Sequence, residues 1–238
     1  MYSHRSSTGP VDLAFTDRYD GVSAVPFDSL NLALVGRDDP DARRRNLDLL
    51  LTDFAPGSPL ADMEQVHGTE VVTVEAARTT REQCDALVTD RPDVVLMALV
   101  ADCVPILLAD PRAGVIGAAH AGRLGMVGGV ATACVEQMRR LGAREITAWV
   151  GPHVCGHCYE VPAELREQVA AVEPVTASVT SWGTPALDIG AGVTAQLERA
   201  GVAVVDVARC TLESPDLYSH RRDGADAGRF AGVIVRRG

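Results

Sequence analysis

Val94 to Gly129 reads VVLMALVADCVPILLADPRAGVIGAAHAGRLGMVGG, and its apolar runs decide the fold class. Val94 to Val100 is aliphatic at nearly every position, the pattern of a strand buried on both faces. Val104 to Ala109 reads as a second strand. Pro105 within it implies a bulge or a sheet edge, because proline cannot donate to a ladder. Asp110-Pro111-Arg112-Ala113-Gly114 has turn chemistry. Val115 to Ala119 is the returning strand and delivers His120, while Cys103 precedes the second strand. A thiol and an imidazole therefore sit where buried strands should begin and end. Ala121 to Gly129 then leads into a helix running to about Leu141, which Gly142 ends.

Outward from this stretch, strands and helices mix without a regular βαβ alternation, which favours an α+β arrangement. Asp38-Asp39-Pro40 starts a helix through about Leu51, with Pro40 in the first turn. Met63 to Val74 reads as strand, turn, strand, with His67-Gly68 at the bend. Cys84 to Thr89, Ile146 to Val150 and Val202 to Val205 read as strands. Ala163 to Val172 and Ile189 to Ala200 read as helices. Leu217 to His220 and Phe230 to Val235 pair as a closing hairpin around DGADAG. Residues 1–10, rich in Ser, Gly and Pro, are expected as a flexible tail, and residues 11–238 as a single domain.

The 238 residues are 47% hydrophobic and 23% charged, enough to bury a sizeable core without staples. A net charge of −10 disfavours duplex nucleic acid as a partner. All 22 basic residues are arginine. A Schiff-base lysine and a Walker-type loop are therefore excluded, and any anion site is built from guanidinium or backbone N–H groups. The start MYSHRSSTGP has no apolar core of a signal peptide, and no apolar run is long enough to span a membrane. A cytoplasmic protein with no membrane partner and free thiols is expected, as a monomer or a homodimer.

Four constellations carry chemistry. His67, Cys103 and His120 lie far apart in the chain and match no short metal motif. A thiolate and two imidazoles are nevertheless good zinc ligands, and three protein ligands leave one position open, the mark of a catalytic site. The same atoms serve a different reading, in which Cys103 is a nucleophile, His120 its base, and Asp102 or Asp85 the orienting carboxylate. Asp102 is also a candidate acid/base group. Gly151 to Tyr159 offers Cys155-x-x-Cys158, but a redox dithiol needs a strand–CxxC–helix setting. One ion cannot easily take four donors from so short a segment, so a tight loop lining the site is expected. Tyr218 to Arg229 holds Arg221 and Arg222, candidates for bidentate phosphate binding, with salt bridging as the competing role. Arg43 to Arg45 read as a solvated helix face. AGRLGMVGGV lacks the G-x-G-x-x-G pattern, so no dinucleotide cofactor is expected.

QVHG (Gln65 to Gly68), CDALVTD (Cys84 to Asp90), ADCVPILLAD (Ala101 to Asp110), AAHAG (Ala118 to Gly122), GP…CYEV (Gly151 to Val161) and YSHRRD…GR (Tyr218 to Arg229) occur in the order of the YfiH-like, or laccase-domain, proteins. The sequence resembles that family from about Arg18 to the last strand. The resemblance implies a four-layer α/β/β/α sandwich with mixed sheets. It implies zinc at His67, Cys103 and His120, with copper in the family's older description as a polyphenol oxidase. It also implies purine nucleoside and phosphate as substrates: phosphorolysis of adenosine, inosine, guanosine or methylthioadenosine, and deamination of adenosine. Some members are described as peptidoglycan editing factors, and the fold is shared with a toxin of the cysteine-hydrolase type, which keeps the Cys103/His120 dyad as an alternative. Two departures stand out. Where the family has HAGWRG this chain has HAGRLG, and Leu47 follows Asn46 where an arginine is usual. Arg123, Arg44 or Arg45 then become the substitutes for phosphate.

Overall fold

The computed structural model describes residues 1–75 and 81–238. The chain opens with β1 (Tyr2–Thr8) and β2 (Val11–Thr16), an antiparallel pair. The segment expected as a flexible tail is thus an edge strand. Its side chains alternate but are mostly polar and half-exposed, so no hydrophobic run announces it; β2 supplies the partner for its backbone. Helix α1 (Pro40–Phe54) follows, with Asp39 accepting the Asp41 amide at its start and Pro40 in the first turn.

Four short strands come next, β3 (Leu60–Ala61), β4 (Met63–Glu64), β5 (Val71–Thr73) and β6 (Glu82–Gln83). The long central strands are β7 (Ala86–Thr89), β8 (Val95–Val100), β9 (Val104–Asp110) and β10 (Val115–Ala121). Helices α2 (Arg123–Gly128) and α3 (Val130–Arg140) precede β11 (Thr147–Val150). Then follow α4 (Ala163–Val172), β12 (Ala177–Val179), β13 (Pro185–Leu187), α5 (Ile189–Arg199), β14 (Ala203–Asp206), α6 (His220–Asp223) and β15 (Phe230–Arg236).

Two mixed sheets carry the molecule, one ordered β1-β2-β15-β8-β3 and the other β14-β11-β9-β10-β7-β5. Strand alternation explains how they stack. On β8, Val95 and Met97 pack with Leu50 and Phe54 of α1, while Leu96 and Ala98 pack between the sheets with Leu107, Ala109, Ile116 and Ala118. The other faces of β9 and β10, Ile106, Leu108, Val115 and Ala119, meet α3, α4 and α5. Three apolar clusters thus fill the three gaps of an α/β/β/α stack. Each fully buried aliphatic side chain contributes about 1.5–3 kcal/mol. Gly117 lets α3 approach, since a Cβ there would lie 3.1 Å from Cys134 Sγ.

Three local expectations are corrected. Pro105 lies inside the second sheet, with β9 and β10 in unbroken register from Val104 to Asp110. It is tolerated near the strand entry, where its carbonyl still accepts the Gly151 amide. The expected hairpin of Leu217–His220 with Phe230–Val235 does not form. β15 instead pairs with both β2 and β8, and residues 220–223 are helical, capped by the Ser219 hydroxyl. The helix after His120 is two helices, broken at Gly129, whose φ of +86° terminates α2. Among the described residues, no helix is long and apolar enough to cross a membrane.

Candidate metal centre

The chain passes from one sheet to the other between β8 and β9, and Cys103 sits on that corner. Asp102 beside it adopts φ +89°, which turns the backbone sharply. The Asp102 carboxylate accepts the Thr211 hydroxyl at 2.6 Å and the Arg221 amide at 2.7 Å, and its carbonyl accepts the Val154 amide. Its contacts tie two loops and helix α6 together at the corner. His120 continues the Ile116, Ala118 face of β10, which looks into the gap between the sheets. The strand runs two residues further than the sequence implied, so the imidazole is held by a ladder rather than a loop. His67 enters from the β4–β5 connection with φ +60°.

These three side chains meet. Their donor atoms lie within 4.8 Å of one another. Cys103 Sγ is 3.8 Å from His67 Nε2, and the two imidazole rings stack edge to face at 4.8 Å between centroids. Asp85 organises the group. This fully buried carboxylate accepts His120 Nδ1 at 2.8 Å and the amides of Val66, His67 and Gly68 at 2.7–3.1 Å. His120 is thereby oriented with its other nitrogen toward the thiol, the arrangement typical of a metal-ligating histidine. Of the two carboxylates that could orient His120, Asp85 does so.

Electrostatics follow from the contacts. Burial opposes the Cys103 thiolate, yet hydrogen bonds and charge from His120 and His67 prevail and bring the thiol down to about 6. Burial likewise opposes the His120 cation, and Asp85 with Cys103 overcomes it, raising the imidazole to about 9. Burial works against the Asp85 carboxylate too, but His120 and the loop amides keep it below its ordinary value. By contrast Cys134, deep under the sheet without such partners, is pushed up by burial to about 12.

The cluster forms part of the wall of a cavity of about 640 Å³. Arg37, Arg123, Arg221 and Arg229 also line it. The Arg221 guanidinium lies over the Tyr159 ring at 4.4 Å. Arg222 does not reach the cavity. Its Nε, Nη1 and Nη2 donate to Asp223, Thr211, Ser214 and Leu217, which accounts for all five N–H groups. Its expected place as a phosphate ligand is therefore corrected. Arg229, the third arginine of the Tyr218–Arg229 stretch, does reach the cavity; Asn31 Oδ1 takes its amide, and Asn31 itself is held through buried Asn46 and Asp38. Arg44 pairs with Asp41 on the surface of α1, and Leu47 packs onto the apolar layer under that helix. Val154 and Tyr159 of the Gly151–Tyr159 loop line the cavity, whereas Cys155 and Cys158 do not.

Three more residues, Gln65, Gly122 and Gly125, shape the site without any role assigned from the sequence. Gln65 donates to the Leu99 carbonyl and accepts the Leu99 amide at 2.7 and 2.9 Å, imitating a strand partner that anchors the His67 loop on β8. Gly122 is required because a Cβ there would fall 2.4 Å from His67 Cδ2. Gly125 similarly faces the Gly68 carbonyl, at 3.0 Å from its would-be Cβ. The glycine-rich segment thus serves close packing around the histidines.

Comparison with known proteins identifies the family. Residues 12–237 match the family model described as multi-copper polyphenol oxidoreductase laccase. A Streptomyces coelicolor protein named purine nucleoside phosphorylase is 48% identical, with 98% of this chain and 99% of that protein covered. A crystal structure from Neisseria meningitidis superposes with a TM-score of 0.88 at 32% identity, covering 98% of this chain and 96% of that one. The YfiH protein of Bacillus licheniformis superposes with a TM-score of 0.87 at 27% identity, covering 95% and 93%. With the same four layers and nearly the whole chain matched, the protein belongs to the YfiH-like, laccase-domain family.

Proposed function

We propose that the protein is a metal-dependent phosphorylase of purine nucleosides, with zinc held by His67, Cys103 and His120. The observation that carries the reading is the joining of this donor set to an arginine-lined cavity. The donors fit zinc: one thiolate, two imidazoles, and a carboxylate fixing the ring of one imidazole. The name of the 48%-identical relative supports the substrate class. When bound, zinc supplies Lewis acidity beside the cavity.

The protein's own residues supply the remainder. Phosphate attacks C1′ of the ribose, the C1′–N9 bond breaks, and the purine leaves with the bonding pair, giving ribose 1-phosphate. Arg221, held over the Tyr159 ring and anchored through its amide to Asp102, places a cation for the phosphate. Arg123 and Arg229 add charge from the α2 and β15 sides. Asp102 acts here as a positioning residue. Deamination of adenosine at C6 is a second activity of the same cavity, favoured by a ligand set that leaves a metal position open.

The test is product identification on adenosine, inosine, guanosine and methylthioadenosine, with and without phosphate. Free base with ribose 1-phosphate, formed only with phosphate and lost in Cys103→Ala, supports the reading. Ammonia release without phosphate supports the deaminase activity. Turnover in metal-stripped protein that a thiol alkylator abolishes would instead establish the Cys103/His120 hydrolase. A multicopper oxidase is disfavoured: the chain has six histidines, and among the described residues only His67 and His120 join Cys103 in a donor cluster.

A further inference from the structure

Outside the cavity, a second group of donors converges. Cys155 and Cys158 lie in the tight turn after β11, and Cys210 and Glu213 lie in another turn after β14. Their sulfur and carboxylate atoms are all within 4.8 Å of one another. Each turn presents its donors three residues apart. A pair of that spacing leaves half of a tetrahedral site open, and two such pairs from separated segments close it.

The two turns are built to face each other. His153 and Cys210 form a parallel bridge, with the His153 amide on the Arg209 carbonyl at 3.1 Å and the Thr211 amide on the His153 carbonyl at 3.0 Å. Within the turns, the Cys158 and Tyr159 amides both reach the Cys155 carbonyl, and the Ser214 amide reaches that of Cys210. The backbone is therefore committed before any ion arrives. Cys158 is buried, Cys155 and Cys210 are half-buried, and Glu213 is exposed. All three cysteines are free thiols. A strand–CxxC–helix frame, which a redox dithiol requires, is missing: residues 160–162 are extended before α4 begins.

We propose that Cys155, Cys158, Cys210 and Glu213 form a second, structural zinc site. Three thiolates suit a borderline-soft divalent ion, and four protein ligands leave no position for substrate. The site clamps the loops beneath the cavity. Val154 and Thr211 both hydrogen-bond to Asp102, and Thr211 and Ser214 accept from Arg222 in the helix that carries Arg221. Tyr159, directly after the CxxC turn, carries the Arg221 guanidinium. Metal at the clamp fixes the cationic end of the cavity without touching it.

The experiment is metal analysis of the full chain purified in zinc-supplemented, reducing buffer, with Cys103→Ala, Cys158→Ser and Glu213→Ala compared with the parent. About two zinc ions per chain are expected in the parent and about one in either cysteine variant. X-ray absorption on Cys103→Ala reads the second site alone and should show a sulfur-dominated shell. Glu213, on the surface, is replaceable without disturbing packing; its loss should accelerate zinc release to a chelator by at least tenfold. Cys103→Ala retaining no zinc, or retaining zinc with a nitrogen- and oxygen-dominated shell, overturns the proposal. So does a Cys155–Cys158 or Cys155–Cys210 disulfide as the stable state under those conditions. Because Cys103→Ala is the background, inactivity toward nucleosides leaves this outcome unaffected.

Discussion

Asp85 Oδ1 lies 2.8 Å from His120 Nδ1, and the same carboxylate receives the amides of Val66, His67 and Gly68. One buried anion thus sets both histidines of the cluster, one through its ring and the other through its backbone. Replacement by Asn keeps the size but puts an N–H₂ group against N–H donors. Asp85→Asn should weaken zinc binding by about 10–100-fold and lower thermal stability, read by chelator competition and calorimetry. Unchanged zinc affinity would sink the orienting role.

Gly122 permits the His67 ring to lie against the start of α2. Its φ of −75° and ψ of 177° suit any residue, so Gly122→Ala costs nothing in backbone conformation. The added methyl meets His67 Cδ2 at 2.4 Å and Cys103 Sγ at 3.3 Å. The variant should fold, with an unaltered far-ultraviolet spectrum, yet lose zinc affinity and nucleoside turnover at least tenfold. A fully active Gly122→Ala enzyme would remove His67 from the centre.

In metal-stripped protein, Cys103 should behave as a low-pKa thiol. The imidazoles outweigh burial and bring it down to about 6, so the thiolate is populated above that pH and protonated below it. Iodoacetamide should label Cys103 roughly tenfold faster at pH 7 than at pH 5, following the thiolate fraction. Zinc should suppress the labelling. Cys134, pushed up to about 12 and fully buried, should stay unlabelled until the protein unfolds. A labelling midpoint near the ordinary thiol value would mean that His67 and His120 do not hold the thiolate.

Arg221 and Arg222 are neighbours with opposite duties. Arg221→Ala should raise KM for phosphate several-fold with little change in Tm, because its guanidinium stacks on Tyr159 and lines the cavity. Arg222→Ala leaves three backbone carbonyls without their donor and should destabilise the fold by about 1–3 kcal/mol. Phosphate titrations and denaturant unfolding separate the two. The reverse pattern would exchange their assigned roles.

The apolar runs were legible because alternation and burial are local signals. Val94–Val100, Val104–Ala109 and Val115–Ala119 each fall within a strand of the structure or within one residue of it. α1 was legible from Asp39-Pro40 at its start, and α4 and α5 from their apolar pattern. Tyr2–Thr8 was not, since a polar edge strand draws its stability from the neighbouring backbone. Nor was the pairing of Phe230–Arg236, which lies between β2 and β8, segments more than 100 residues away in the chain.

By itself the sequence determined the fold class, the strands flanking Cys103 and His120, and, through motif order, the family. It also limited any anion site to guanidinium or backbone N–H groups, for want of lysine. Only the tertiary structure decided which charged groups do what. It placed Asp85 rather than Asp102 on His120, sent Arg222 into the loop packing, and brought Arg229 to the cavity. It also joined Cys210 and Glu213 to Cys155 and Cys158. The reason is physical: burial and periodicity are properties of a segment, whereas hydrogen-bond and ligand geometry depend on which segments the sheets bring side by side.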